Sequence, residues 1–418
     1  MGIEAEEDIN NNAEASDNKA KMGIEPITIE EVKEPLNPQE RQEVDRDDFR
    51  IPLEFYLEGM NTNPQTSEEA REGALLKVRQ AAIKRVAVRN EITKNPDIMK
   101  TPADNPLVIV GFHRSGTTML HRLLESDKQF VTPTVWEMME PLPPGRVEDF
   151  RSSARYLKAK AEFDKSIYDL SPEAQAKHVY DLELTDECMS ILQDYFLELP
   201  EAHHNKAMGK WEDFVYNAPK EHVSAAYSYY KNVLQCLFYK SMSANQRILV
   251  KSGMHPLFLD THQKIFPNAR YVLIYRNPCE IVPSLSSLAS EFGKRQGFFD
   301  DGLGKRICNY YGIVTRRGVE FLRNTPKDKV VVLGYRDMVK DPLAAVKKIY
   351  SNFDLTMTPE VEDTLKQHMT ENKQHKHGGH KYSLADFGLT EEDIKRDMKE
   401  FIEYFKDTNE PMTEVKLK

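Results

Sequence analysis

The chain is short of cysteine, of long apolar runs and of any basic excess. Only four cysteines occur in 418 residues, Cys188, Cys236, Cys279 and Cys308. They are far apart and form no Cys-x-x-Cys, so they read as reduced structural thiols in a cytoplasmic protein. No apolar run approaches the ~18–20 residues of a membrane span. The first residues, Met1-Gly-Ile-Glu-Ala-Glu-Glu-Asp8, are acidic and lack a signal peptide's basic and apolar regions. Glu6 stands where N-myristoylation wants Ser or Thr. The net charge is −10, yet residues 1–50 hold 15 acids and 6 bases, a balance of −9, which leaves −1 for residues 51–418. A near-neutral folded part implies no broad nucleic-acid-binding surface. No internal repeat is visible.

What is present is the composition of a globular protein, long enough for one enlarged domain or two. Residues 1–46 are polar and poor in aromatics and read as a disordered acidic tail, leaving 47–418 to fold. Ser67 to Ile98 carries Leu75, Val78, Ala82 and Val86 at helical spacing, with Ser67 as N-cap.

The informative stretch is Leu107 to Leu124. Leu107 to Val110 read as a buried strand, Gly111 and Gly116 as a tight turn, and Thr117 to Leu124 as a helix. Strand, glycine turn and helix aim backbone N–H groups at an anion. The spacing approaches the phosphate loop Gly-x-x-x-x-Gly-Lys-[Ser/Thr], but Thr117 stands in the lysine position and Arg114 brings the positive charge instead. Arg114, Ser115, Gly116, Thr117 and Thr118 are therefore candidate phosphate ligands. An ordinary βα turn with a chance glycine pair is the plain alternative.

Four more strand candidates follow. Phe130 to Glu137 is a β-rich run ending in an acid. Arg247 to Lys251, Tyr271 to Tyr275 and Val330 to Leu333 are short apolar runs separated by helical patterns. The reading is α/β, with a central parallel sheet of about five strands flanked by helices. Residues 146–245 form a mostly helical insertion, a reasonable place for an acceptor pocket. Ligands in such sheets sit at the carboxyl ends of the strands. Those ends carry the Arg114 loop, Glu137, Lys251, Arg276 and Tyr335, which argues for one composite site. Arg276-Asn-Pro278 opens a helix with Ser284 two turns on. A guanidinium fork and a hydroxyl there make a second anion subsite.

These segments together resemble the soluble sulfotransferases, over roughly residues 100–395. The matching stretches are Arg114-Ser-Gly-Thr-Thr118, Val135-Trp-Glu-Met-Met-Glu-Pro-Leu-Pro-Pro144, Leu249-Val-Lys-Ser-Gly-Met-His255, Arg276 through Ser284, Gly334 through Pro342, and His380 through Leu389. One departure is Gly253, where the family usually shows Pro. The resemblance implies a P-loop NTPase-like sulfotransferase fold. It also implies 3′-phosphoadenosine 5′-phosphosulfate (PAPS) as co-substrate, its 5′ end on the first loop and its 3′-phosphate on Arg276 and Ser284. The acceptor would be a hydroxyl of a small molecule or carbohydrate. His380 and Lys381 would lie near the 3′-phosphate. His375-Lys-His-Gly-Gly-His380 makes a poor metal site without Cys or carboxylates.

Sulfuryl transfer needs in-line geometry and charge stabilisation, which the loop, Arg114 and Lys251 can supply. The sulfuryl carries less charge than a terminal phosphoryl, so a metal is not obligatory. The acceptor hydroxyl needs a base. Glu137 is the first candidate, with Glu187 and His255 next. The plain readings are an ion-paired or capping Glu137 and a core His255. A P-loop kinase using ATP and Mg²⁺, and a non-catalytic nucleotide-binding protein, are the alternatives.

Overall fold

The computed structural model describes residues 24–147, 149–166, 181–199, 203, 205–295, 302–372 and 382–413. Leu107 to Val110 are all fully buried. Their side chains alternate between two apolar clusters, as a strand covered on both faces requires. Leu107 and Ile109 pack with Leu249, Val272 and Leu333, while Val108 and Val110 pack with Ile248, Val250 and Leu273.

Five strands form one all-parallel sheet, β1 (Leu107–Ile109), β2 (Phe130–Val131), β3 (Arg247–Lys251), β4 (Arg270–Tyr275) and β5 (Val330–Gly334), in the order β2-β3-β1-β4-β5. Leu107 stands opposite Leu249 on β3 and Arg270 on β4, and Tyr275 stands opposite Gly334 on β5. The chain leaves central β1 for the β2 edge, returns to β3, then crosses to β4. That switch opens a crevice above β1, flanked by the ends of β3 and β4.

Helices α1 (Ile29–Lys33), α2 (Pro38–Val44), α3 (Asp47–Thr62) and α4 (Glu68–Lys94) precede β1. Helix α5 (Thr117–Glu125) follows β1, and α6 (Val135–Met139) follows β2. Helix α7 (Lys220–Phe238) ends the helical stretch before β3; α8 (Pro278–Arg295) and α9 (Leu303–Asn324) separate β4 from β5. After β5 come α10 (Tyr335–Lys340) and, near the C-terminus, α11 (Glu391–Asp397) and α12 (Lys399–Phe405). No helix among the described residues is long and apolar enough to cross a membrane. All four cysteines are buried and free, and burial pushes each thiol up to about 12.

Two expectations need correction. The acidic tail is expected to run to residue 46, but residues 24–46 hold two capped helices, and of that stretch only 1–23 lie outside the described residues. Their acids do local work. Glu40 closes a capping box with Asn37, with Pro38 at the first helical position. Glu31 pairs with Arg71, and Glu43 ion-pairs with the buried Arg85 of α4 at 2.7 Å. Val32 and Val44 are fully buried beneath them. Arg85 also holds Asp48 at 2.6 Å. Replacing Glu43 by Ala removes one partner from a buried cation, so chemical denaturation should show a loss on the order of 3 kcal/mol. A loss below about 0.5 kcal/mol, the surface-substitution range, would mean the segment is only loosely attached.

The second correction concerns the run to Glu137. Only Phe130–Val131 is strand, and Glu137 sits instead in the first turn of α6. Thr134-x-x-Glu137 has capping-box spacing, and the carboxylate accepts from the Thr134 N–H at 2.9 Å.

Candidate active site

The turn after β1 holds two residues in the left-handed region. Arg114 has φ 66° and Gly116 φ 89°, both left-handed; an arginine there is uncommon. A Cβ on Gly111 would lie 2.1 Å from the Thr117 methyl, and one on Gly116 would lie 3.0 Å from the Tyr335 ring. Both glycines are therefore dictated by close approach. Ser115 is fully buried, its hydroxyl donating to the Phe112 carbonyl at 2.6 Å. Thr117 and Thr118 open α5, whose first N–H groups have no intrahelical acceptor.

The residues expected to form the second subsite meet those of the first directly. Arg114 Nε donates to Ser284 Oγ at 3.0 Å, and Arg276 Nη1 donates to the Arg114 carbonyl at 2.9 Å; these partners lie 170 and 162 residues apart. The Arg276 guanidinium also stacks 4.0 Å from the Tyr335 ring centroid and pairs with Glu280 at 2.8 Å. The Tyr382 hydroxyl donates to Ser284 Oγ at 2.6 Å. Arg114, Arg276, Ser284 and Tyr335 thus share one place. His380 and Lys381 lie outside the described residues.

On the β3 side the crevice carries a charged cluster. Lys251 Nζ, 1% exposed, contacts Asp186 at 2.9 Å and Glu187 at 3.3 Å. The other Glu187 oxygen accepts from the Gly253 N–H at 3.1 Å and faces His113 Nε2 at 3.3 Å. His113 Nδ1 meets the Tyr310 hydroxyl at 2.9 Å. The imidazole lies over Gly253, 2.6 Å from where a Cβ would stand, so this glycine exists to let His113 lie flat. Burial would push the Glu187 carboxyl up, but Lys251 and then His113 more than reverse this and hold it well below the usual carboxylate range. Burial alone would depress Lys251, but Asp186 and Glu187 outweigh it and raise the ammonium above its ordinary value.

The other candidates are placed elsewhere. Glu137 is buried, and its second oxygen and first are both held by Arg146, at 2.9 and 2.8 Å. It lines a cleft of about 660 Å³ along α5 and the β2 edge, with Arg122, Thr132 and Trp136, whose lining includes none of the residues from Arg114 to Thr118. His255 is fully buried, bonded to the Tyr227 hydroxyl at 2.9 Å and beside Cys188 Sγ at 3.3 Å. Burial lowers it to about 4. It is a core histidine, and Glu137 is a capping and ion-paired residue. Among the described residues no three His, Cys, Asp or Glu side chains are grouped as metal ligands; the segment from His375 to His380 lies outside them.

Sequence reasoning passed over His113, Asp186, Tyr310 and Tyr382. Tyr382 sits inside a stretch that carried the resemblance, His113 directly precedes another, and Asp186 adjoins a named candidate. Tyr310, mid-helix in α9, had no local signal.

The profile of the sulfotransferase family matches residues 106–359, more than half the chain. The omega-hydroxy-beta-dihydromenaquinone-9 sulfotransferase Stf3 of Mycobacterium bovis is 23% identical over 295 residues, covering 69% of this chain and 73% of that protein; the protein of that name from Mycobacterium tuberculosis matches equally. In solved structures, sulfotransferase STF9 from Mycobacterium avium superposes with a TM-score of 0.74 at 22% identity, covering 89% of this chain and 94% of that one. Sulfotransferase STF1 from Mycobacterium tuberculosis gives 0.72 at 20%, covering 89% and 98%. Fold, loop and family profile agree, and the chain belongs to the sulfotransferase family.

Proposed function

We propose that this protein transfers a sulfuryl group from PAPS to a hydroxyl of a small organic acceptor. The observation that carries this reading is the direct contact of Arg114 with Ser284 and of Arg276 with the Arg114 carbonyl. One nucleotide with phosphates at both its 5′ and 3′ positions suits two adjoining anion subsites; a nucleoside triphosphate needs only the first. The N–H groups opening α5 and the Arg114 guanidinium take the 5′ phosphosulfate. Arg276, Ser284 and the Tyr382 hydroxyl take the 3′-phosphate, with Tyr335 fixing the plane of Arg276.

In the step itself, the acceptor oxygen bonds to sulfur and the bond from sulfur to the 5′-phosphate oxygen breaks. The electron pair stays on that phosphate oxygen, which faces the α5 N–H groups and Arg114. The acceptor's proton leaves toward the His113–Glu187 pair. Lys251 is already committed to Asp186 and Glu187, so its part is to hold these carboxylates in place. The relative Stf3 is named for an omega-hydroxylated dihydromenaquinone, which makes alcohol hydroxyls the acceptor class to try first.

The experiment is transfer of labelled sulfate from PAPS to a panel of alcohols, sugars and phenols in a chelating buffer, beside a parallel assay with labelled ATP and Mg²⁺. Labelled sulfate esters are expected. Phosphoryl transfer instead would establish a kinase, and no transfer from either donor, despite nucleotide binding, a non-catalytic protein.

A further inference from the structure

Glu410, far along the chain from either subsite, is fully buried in its side chain. One carboxylate oxygen accepts from the backbone N–H of Asn277 at 3.3 Å, and the other from that of Arg336 at 3.0 Å. Asn277 directly follows Arg276, and Arg336 directly follows Tyr335. A single carboxylate therefore ties together the two strand ends whose preceding side chains stack on each other at 4.0 Å. The same C-terminal segment grips the other side of Arg276, because Phe405 of α12 stacks on Tyr275 with ring centroids 4.1 Å apart. Arg336 Nε lies 3.7 Å from Glu410, and its Nη2 lies 3.3 Å from Glu280, the partner of Arg276. Buried backbone N–H groups at strand ends need an acceptor, and charge-assisted bonds are the stiffer kind.

We infer that Glu410 is a positioning residue: it clamps the ends of β4 and β5 so that Arg276 and Tyr335 are held as one unit for the nucleotide's 3′-phosphate. The inference rests on the proposed nucleotide reading. Glu410 makes no described hydrogen bond to the loop after β1, so its effect falls first on the 3′ end and reaches the 5′ end only through the bond from Arg276 to the Arg114 carbonyl. Glutamine preserves shape but turns an amide NH₂ toward one of the two N–H groups, leaving that group unpaired.

The test compares adenosine 3′,5′-bisphosphate with adenosine 5′-phosphate by calorimetry on the full chain. In Glu410→Gln the bisphosphate is expected to weaken by about tenfold, the order of one lost charge-assisted bond, while the 5′-phosphate is unchanged. Equal weakening of both ligands, or of neither, overturns the inference. A wild-type protein that binds both alike overturns the nucleotide reading as well, so the two failures are distinct. Hydrogen exchange on the wild type covers the event that Glu410→Gln does not fold. The bisphosphate, and not the 5′-phosphate, should slow exchange in residues 405–413, by reciprocity of coupling. Equal protection by both, or by neither, contradicts the clamp.

Discussion

Arg114→Asn is expected to lower sulfuryl transfer by about 10²–10³-fold, the scale for removing one preorganised donor from a developing oxyanion. Asparagine is the informative replacement because it tolerates the left-handed backbone that Arg114 adopts, with φ 66°. Alanine would add strain to the loss of charge and confuse the two. Arg114 makes two bonds at once, its Nε to Ser284 at 3.0 Å and its carbonyl from Arg276 at 2.9 Å, and on the proposed reading its charge also replaces the lysine that the loop lacks. Asparagine keeps the carbonyl and the turn, so the thermal midpoint should move little. Turnover that falls less than tenfold would place the stabilising charge elsewhere.

Glu187→Gln is expected to reduce turnover by about 10²–10⁴-fold, the span of general acid–base effects, with bisphosphate affinity held within about twofold. The glutamine carbonyl can still accept from the Gly253 N–H, but the charge facing His113 and Lys251 is gone. His113 loses the group that sets its orientation, and buried Lys251 keeps Asp186 alone. Stability should fall as well, because the ion pair is nearly dry on the lysine side. The pH dependence follows from the two shifts. Glu187 is lowered in the folded state, so its contribution is present above the ordinary glutamate value of about 4.3 and is lost as pH falls through the lowered one. Lys251 is raised, so its contribution is present below about 10.4 and is lost as pH rises through the raised value. Between those limits the pair stays ionised, and an acid limb in turnover near neutral pH must come from another group. Full turnover in Glu187→Gln would move the proton acceptor away from the His113–Glu187 pair.

The sheet and the loop were legible because their causes are local. Both faces of β1 are covered, so its residues are uniformly apolar, and the turn itself favours glycine at 111, against the Thr117 methyl, and at 116, through its left-handed φ. The corrected parts were less local or were read on the wrong scale. Thr134-x-x-Glu137 carries a capping-box spacing, yet the β-branched residues around it resemble a strand. Asn37-Pro38-x-Glu40 carries the same signal inside a segment whose composition alone suggests disorder. His255 is set apart from a catalytic histidine by full burial against Tyr227 and Cys188, partners 28 and 67 residues away. Lys251 meets Glu187 across 64 residues, and no motif encodes that pairing. Glu410 had no signal at all, since the backbone N–H groups that donate to it are 133 and 74 residues distant.

The central claim is that two anion subsites, one on the loop after β1 and one on Arg276 and Ser284, hold a single nucleotide carrying a 3′-phosphate. Calorimetric titration of adenosine 3′,5′-bisphosphate in a chelating buffer tests it most directly. The expected result is binding without Mg²⁺, at least about tenfold tighter than adenosine 5′-phosphate, with Arg276→Ala erasing the difference through loss of one phosphate fork. Equal affinity for both nucleotides in the wild type, or binding that appears only with ATP and Mg²⁺, would contradict it.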